Sequence, residues 1–176
     1  MATDATNPTP SPWVVRFAPL VRAGGPVLDL ACGGGRHCRL FLDRGHPVTG
    51  VDRDVAQAAH AQGAELLAAD LEGAPWPLPG RSFAAVVVTN YLWRPLFPAL
   101  VAALEDEGVL IYETFARGNE AFGRPRNPDH LLDRAELLGL AAGLTPVAFE
   151  DGVLAGRAVV QRLCAVKGPG PYSLGG

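Results

Sequence analysis

The segment Val27-Leu28-Asp29-Leu30-Ala31-Cys32-Gly33-Gly34-Gly35-Arg36 restricts this chain more than any other. A short apolar strand runs into three consecutive glycines, which let the backbone turn sharply and approach a ligand where a side chain would intervene. About twenty residues after the turn, the strand-like run Pro47-Val48-Thr49-Gly50-Val51 ends at Asp52. Strand, glycine turn, helix, strand and carboxylate together describe a nucleoside-binding crossover in which the acid accepts from ribose hydroxyls. Such a unit calls for a mostly parallel sheet covered by helices on both faces.

Two nucleoside ligands fit that geometry, NAD and S-adenosylmethionine. A dinucleotide fingerprint wants G-x-G-x-x-G or A, whereas Gly33-Gly34-Gly35-Arg36-His37-Cys38 places a cysteine at the third small position. Asp29, ahead of the glycines, would repel a pyrophosphate but could hold the ammonium of a methionine moiety or tie down the loop through its N–H groups. The balance favours S-adenosylmethionine. An NAD-dependent oxidoreductase and a non-catalytic cofactor-binding or interaction module are the alternatives.

The chain has 176 residues, 48% of them hydrophobic, which suits one domain with one substantial core. A net charge of −3 with no basic run lacks the footprint of a general nucleic-acid binder and suits a small-molecule partner. Cys32, Cys38 and Cys164 form no C-x-x-C pair, so neither a disulfide framework nor a metal site is expected, and a reducing cytoplasm is the simplest location. No apolar run is long enough to span a membrane. Residues 1–12 read as a flexible lead-in, 13–167 as a single domain and 168–176 as a flexible tail.

Apolar spacing predicts a short helix from Trp13 to Val21, a strand over 27–30, a helix after the glycines and a strand over 47–51. An alanine-rich helix is expected over 56–62 and a strand over 65–69. The run Phe83-Ala84-Ala85-Val86-Val87-Val88-Thr89 is apolar throughout, as in a strand buried on both faces. Helices over 96–104 and 133–142, a strand over 108–114, and two last strands over 145–149 and 157–166 joined through Glu150-Asp151-Gly152 complete the pattern.

With these residues in view, the chain resembles the class I S-adenosylmethionine-dependent methyltransferases over roughly 27–166. The L-D-L-A-C-G-G-G-R string resembles the family's first motif, Asp52 its ribose carboxylate, and Ala69-Asp70-Leu71 the segment that receives adenine. The glycine–arginine arrangement and short length are most similar to the small-molecule branch that includes tellurite-resistance-type and thiopurine-type enzymes. The resemblance implies a Rossmann-like, doubly wound seven-stranded α/β sheet in the order 3-2-1-4-5-7-6 with strand 7 antiparallel. It also implies methyl transfer to a small-molecule acceptor by in-line displacement. Thr89-Asn90-Tyr91-Leu92-Trp93-Arg94 matches neither the N-P-P-Y pattern nor a metal-binding catechol pattern, so the acceptor atom stays open.

The cofactor-binding candidates are therefore Asp29, Gly33, Gly35, Arg36, Asp52, Asp70, Leu71 and Asn90. Glu113, Tyr91 and His130 are the catalytic candidates; His37 is a further histidine near the glycines, though a structural role suits it better. The segment 115–132, rich in aromatic residues and arginine, is long for a connection and is expected to act as a substrate lid, with Arg124 and Arg126 available to an anion.

Overall fold

A computed structural model describes residues 8–174. Seven strands form one sheet: β1 (Val27–Leu30), β2 (Val48–Asp52), β3 (Glu65–Ala68), β4 (Phe83–Thr89), β5 (Leu104–Phe115), β6 (Thr145–Leu154) and β7 (Ala158–Val166). Their order is β3-β2-β1-β4-β5-β7-β6, and β7 alone runs antiparallel to its neighbours. The helices are α1 (Pro12–Phe17), α2 (Arg36–Asp43), α3 (Phe97–Ala102) and α4 (Glu136–Leu140).

Alternation along the strands splits the core into two layers. Leu28 and Leu30 of β1, Val86 and Val88 of β4, and Leu110 and Tyr112 of β5 pack with Phe97 and Leu100 of α3 and Leu137 of α4. On the other face Val27, Ala85, Val87, Val109 and Ile111 pack with Trp13, Val14 and Phe17 of α1 and Cys38 and Phe41 of α2. β4 lies at the centre with all seven residues buried, as its unbroken apolar run predicts. Within the first layer the Phe97 and Tyr112 rings stack, 5.1 Å between centroids.

Several boundaries differ from expectation. The alanine-rich stretch forms only a 3-10 turn, Val55–Gln57. Seven residues are too few for a helix to hold without packing a whole face, and here the chain is committed elsewhere: the His60 N–H donates to Gly34 O at 3.0 Å, and Ala61 is buried. The helices expected over 96–104 and 133–142 shrink to α3 and α4, because Leu104 already pairs with Phe83 and Asp133 is engaged before α4 begins. The closing hairpin turns not at Glu150-Asp151-Gly152, which lie within β6, but at Ala155 and Gly156. Both have positive φ, 49° and 67°, and the Arg157 N–H donates to Leu154 O, which makes a type I′ turn suited to the twist of the strands.

The ends are also more engaged than composition suggests. The first seven residues of the expected lead-in lie outside the described residues, but Ser11 is buried and caps α1, accepting from the Trp13 N–H at 3.2 Å. In the expected tail, the Thr145 hydroxyl donates to Gly168 O and the Tyr172 hydroxyl to Glu107 Oε2 at 2.8 Å. Residues 175–176 lie outside the described residues. No helix among the described residues is long and apolar enough to cross a membrane.

Candidate active site

Parallel pairing places the carboxyl ends of β1, β2, β3 and β4 along one edge, where ligands of open α/β sheets bind. A cavity of about 510 Å³ opens there, lined by Gly33 after β1, Asp52 at the end of β2, Asp70 and Leu71 after β3, and Asn90 and Tyr91 after β4. That volume is within the ordinary range for small-molecule sites. His130, from the segment between β5 and α4, supplies the last wall. Seven of the eleven predicted site residues thus meet at one cavity, although they come from five separate stretches of chain.

Asp52 organises the centre. Its Oδ2 accepts from the Gly33 N–H at 2.8 Å and its Oδ1 from the Asp54 N–H at 3.1 Å, so the carboxylate ties the glycine turn to the end of β2. Each oxygen retains a second acceptor direction. Asp70 accepts from the Glu72 N–H at 3.0 Å and pairs with Arg53 at 3.2 Å. These contacts hold its carboxyl below the usual carboxylate range, the Glu72 N–H contributing most. Asn90 has φ of 55°, and its N–H donates to Glu113 O at 2.9 Å, ending β4 in a sharp turn. The Tyr112 hydroxyl donates to Tyr91 O at 2.8 Å and fixes the next residue.

Four predicted residues lie outside the cavity, for reasons of strand and helix geometry. Asp29 alternates with Leu28 and Leu30 and so turns beneath α2, where it is 1% exposed and accepts from the Cys38 N–H at 3.1 Å and its thiol at 3.2 Å. It holds the start of α2 instead of facing a ligand. Gly35, at φ 82°, caps α2 with its Cα pressed toward Ala61. Arg36 begins α2 and does not line the cavity. Glu113 alternates with Tyr112 and faces α1, where it pairs with Arg162 at 2.5 Å and accepts from the Ser11 hydroxyl at 3.0 Å. A carboxylate committed to a half-buried arginine on the far face is not available as a base at this cavity. His37 is likewise occupied: it is 2% exposed and its Nε2 accepts from the Ser11 N–H at 3.0 Å. Burial, with a smaller contribution from Arg36, pushes its pKa down to about 3.

Burial drives the Asp29 carboxyl the opposite way, up to about 7, against the pull of the two Cys38 hydrogen bonds. The unfolded chain releases this proton near pH 4, whereas the folded chain keeps it until about 7, so folding stability falls as pH rises through that interval. Asp29→Asn preserves an acceptor for the Cys38 N–H and removes the titration. The loss of urea midpoint between pH 5 and pH 8 is expected to shrink in this variant; an unchanged loss would show that Asp29 does not carry it.

Residue spacing did not point to Arg53, Asp54, Gln57 or Glu72, which also line the cavity. The available signal was adjacency to Asp52 and Asp70 at strand ends. Of the segment 115–132, only His130 reaches the cavity; Arg124 and Arg126 are exposed outside it. Asn119 pins this segment, accepting from the Val159 N–H at 3.1 Å and donating to Pro125 O at 3.4 Å.

The methyltransferase domain family matches residues 27–107, the stretch that carries the glycine turn, Asp52, Asp70 and Asn90. Over that stretch, 81 of the 176 residues, the chain is similar to a methyltransferase domain, and its sheet order is the one that the resemblance to the class I S-adenosylmethionine-dependent methyltransferases implies. Its structure is similar to TehB from Haemophilus influenzae, at 16% identity and a TM-score of 0.71, covering 88% of this chain and 61% of that one. A TehB-like S-adenosylmethionine-dependent methyltransferase from Corynebacterium glutamicum superposes at 18% identity and a TM-score of 0.64, over 87% and 85% of the two chains. The glycopeptide N-methyltransferase MtfA, solved with S-adenosylhomocysteine, does so at 20% identity and a TM-score of 0.61, over 87% of each. At these identities the likeness is one of fold, and this chain spans less than two thirds of TehB. No curated protein sequence matches it.

Proposed function

We propose that this protein transfers the methyl group of S-adenosylmethionine to a small-molecule acceptor by in-line displacement. The observation that supports the reading best is the convergence of Gly33, Asp52, Asp70, Leu71 and Asn90 on one cavity. The free acceptor directions of Asp52 suit the two ribose hydroxyls, Asp70 and the Leu71 backbone suit the adenine edge, and Gly33 and Asn90 border the methionine end. Gly35, Arg36 and Asp29 support the site from behind by shaping the turn and the start of α2. When bound, S-adenosylmethionine supplies an electrophilic methyl group on a positively charged sulfur. The acidic lining from Asp52, Asp54, Asp70 and Glu72 suits a cation.

The chain's own work is to hold both reactants in line and exclude water, which can supply most of the acceleration in a displacement. Tyr91 and His130, which line the cavity together with Asn90, are the side chains best placed to contact the acceptor. The net charge of −3 supports a small molecule over a nucleic acid, and the three buried free thiols support a cytoplasmic location.

Isothermal titration with S-adenosylmethionine, S-adenosylhomocysteine and NADH tests the reading. The adenosyl ligands are expected to bind and NADH not to. Binding by NADH alone would return the glycine turn to the oxidoreductase reading, while adenosyl binding without turnover on any acceptor would leave a binding module.

A further inference from the structure

We propose that the loop 116–132 is a fixed docking rim at the mouth of the cavity, where Arg124 and Arg126 hold an oxyanion of the acceptor, carboxylate or phosphate, remote from the atom that is methylated. The inference rests on the methyl-transfer reading. A cavity of about 510 Å³ buries one ligand of the size of S-adenosylmethionine, so most of an acceptor's surface lies at or beyond the mouth. His130 brings this loop to the cavity wall. The loop is closed at its base: Ala116 bridges to Leu132, the Arg117 N–H donates to Leu132 O and the Leu132 N–H to Phe115 O, both at 3.0 Å. As in other Ω-type loops, its own residues fill it. Asn119 and Pro125 are buried inside, and Asn119 O accepts from the Phe122 and Gly123 N–H groups at 2.8 and 3.0 Å. On the far limb Arg94, in the 3-10 turn Arg94–Leu96 after β4, acts as a clamp. Its guanidinium donates to Asp129 O at 2.8 Å and to Leu131 O at 2.9 Å, while Glu136 holds it from behind at 2.6 Å. Backbone tied down at the base, the middle and the far limb makes a rim rather than a moving lid.

On this fixed frame Arg124 and Arg126, either side of Pro125, are exposed, and neither guanidinium has an ion-pair or hydrogen-bond partner among the described residues. Most arginines of the chain are committed to a carboxylate or a carbonyl, Arg117 of this same loop to Asp133. The loop's acids are Glu120, which accepts from the Gly118 N–H at 2.8 Å, and the exposed Asp129. Two uncommitted planar forks two residues apart suit an oxyanion better than any other group. They also stand close to the cavity. The His130 N–H donates to Asn127 O at 3.0 Å, closing a turn whose end Cα atoms lie within about 7 Å, and one more residue adds about 3.8 Å. The Arg126 Cα is therefore within roughly 11 Å of the His130 Cα, a span that an arginine side chain and an acceptor bridge together. Phe122, the one exposed aromatic ring among the described residues, belongs to the same tip and adds apolar area for the body of such an acceptor.

The test uses the full chain saturated with S-adenosylhomocysteine, as wild type, Arg124→Gln, Arg126→Gln, the double variant and Arg44→Gln, an exposed and equally unpartnered arginine at the end of α2. Phenyl phosphate, benzoate and the neutral benzyl alcohol are titrated, and ¹⁵N–¹H NMR follows the arginine Nε–Hε signals, assigned by their loss in each variant. At least one anion is expected to shift the Arg124 and Arg126 signals and to bind more tightly than benzyl alcohol; the tighter of the two identifies the oxyanion. Each single variant should weaken that anion about fivefold and the double variant about 20-fold, the upper end for exposed ion pairs, with S-adenosylhomocysteine affinity held within about twofold. Arg44→Gln should change nothing. Of the acceptor pairs benzylamine and 4-(aminomethyl)benzoate, and thiophenol and 4-mercaptobenzoate, any that is turned over should show the lower KM for its charged member, and the double variant should raise that KM with kcat kept. Anions that bind no better than benzyl alcohol, that ignore both arginines, or that Arg44→Gln weakens equally overturn the docking rim and leave the methyl-transfer reading standing, as does a lower KM for the neutral acceptor. Absence of S-adenosylhomocysteine binding to the wild type removes the methyl-transfer reading itself.

Discussion

Asp52→Ala is expected to weaken S-adenosylmethionine binding by about 1.5–3 kcal/mol, roughly 10- to 150-fold in Kd, the range for hydrogen bonds to a charged group. Two losses combine. The carboxylate directions assigned to the ribose hydroxyls disappear, and the Gly33 N–H loses the acceptor that ties the glycine turn to β2 at 2.8 Å. Asp52→Asn separates them, since its amide oxygen can still accept from Gly33 but carries no charge. Calorimetry should place asparagine between wild type and alanine. Equal affinity for wild type and Asp52→Ala would remove Asp52 from the ligand site and leave it a turn residue.

The second large effect falls on folding. Gly35→Ala is expected to cost about 2–5 kcal/mol, from roughly 1–2 for a side chain in the left-handed region and about 1–3 for overpacking. A Cβ at Gly35 would stand 2.6 Å from the Ala61 Cβ and 2.8 Å from its backbone nitrogen, so the main chain itself would have to move. Gly45 provides the control: its φ is also 82°, but nothing lies within 4 Å of a Cβ there. Gly45→Ala should carry the conformational cost alone. Urea unfolding of the two variants measures the difference, and equal losses would mean that the Gly35–Ala61 approach relaxes freely.

The segment behind Gly35 also shows why helix propensity misled over 56–62. Alanine favours helix by tenths of a kcal/mol per residue, a weak preference against the burial of Ala61 and the bond from His60 to Gly34 that back the glycine turn. The same competition moved the hairpin turn, since Gly152 looked like a turn glycine but pairs with Val160 inside the ladder. Conversely, β1, β4 and the end of β2 were legible because continuous apolar runs and a glycine turn leave few other ways to bury the chain.

The sequence by itself determined the class of fold, the strand order through its family resemblance, and the four strand ends that meet at the cavity. It did so because strand periodicity and glycine geometry are local properties. Only the tertiary structure decided which face each end residue presents. Asp29 and Glu113 sit at the right positions along their strands, yet alternation turns both toward α1 and α2, where Cys38, Arg162 and Ser11 occupy them. Only the tertiary structure, too, could bring Arg94 to the backbone around His130, some 35 residues away in sequence. No local pattern encodes that clamp, because its geometry exists only after β4, β5 and α4 have packed.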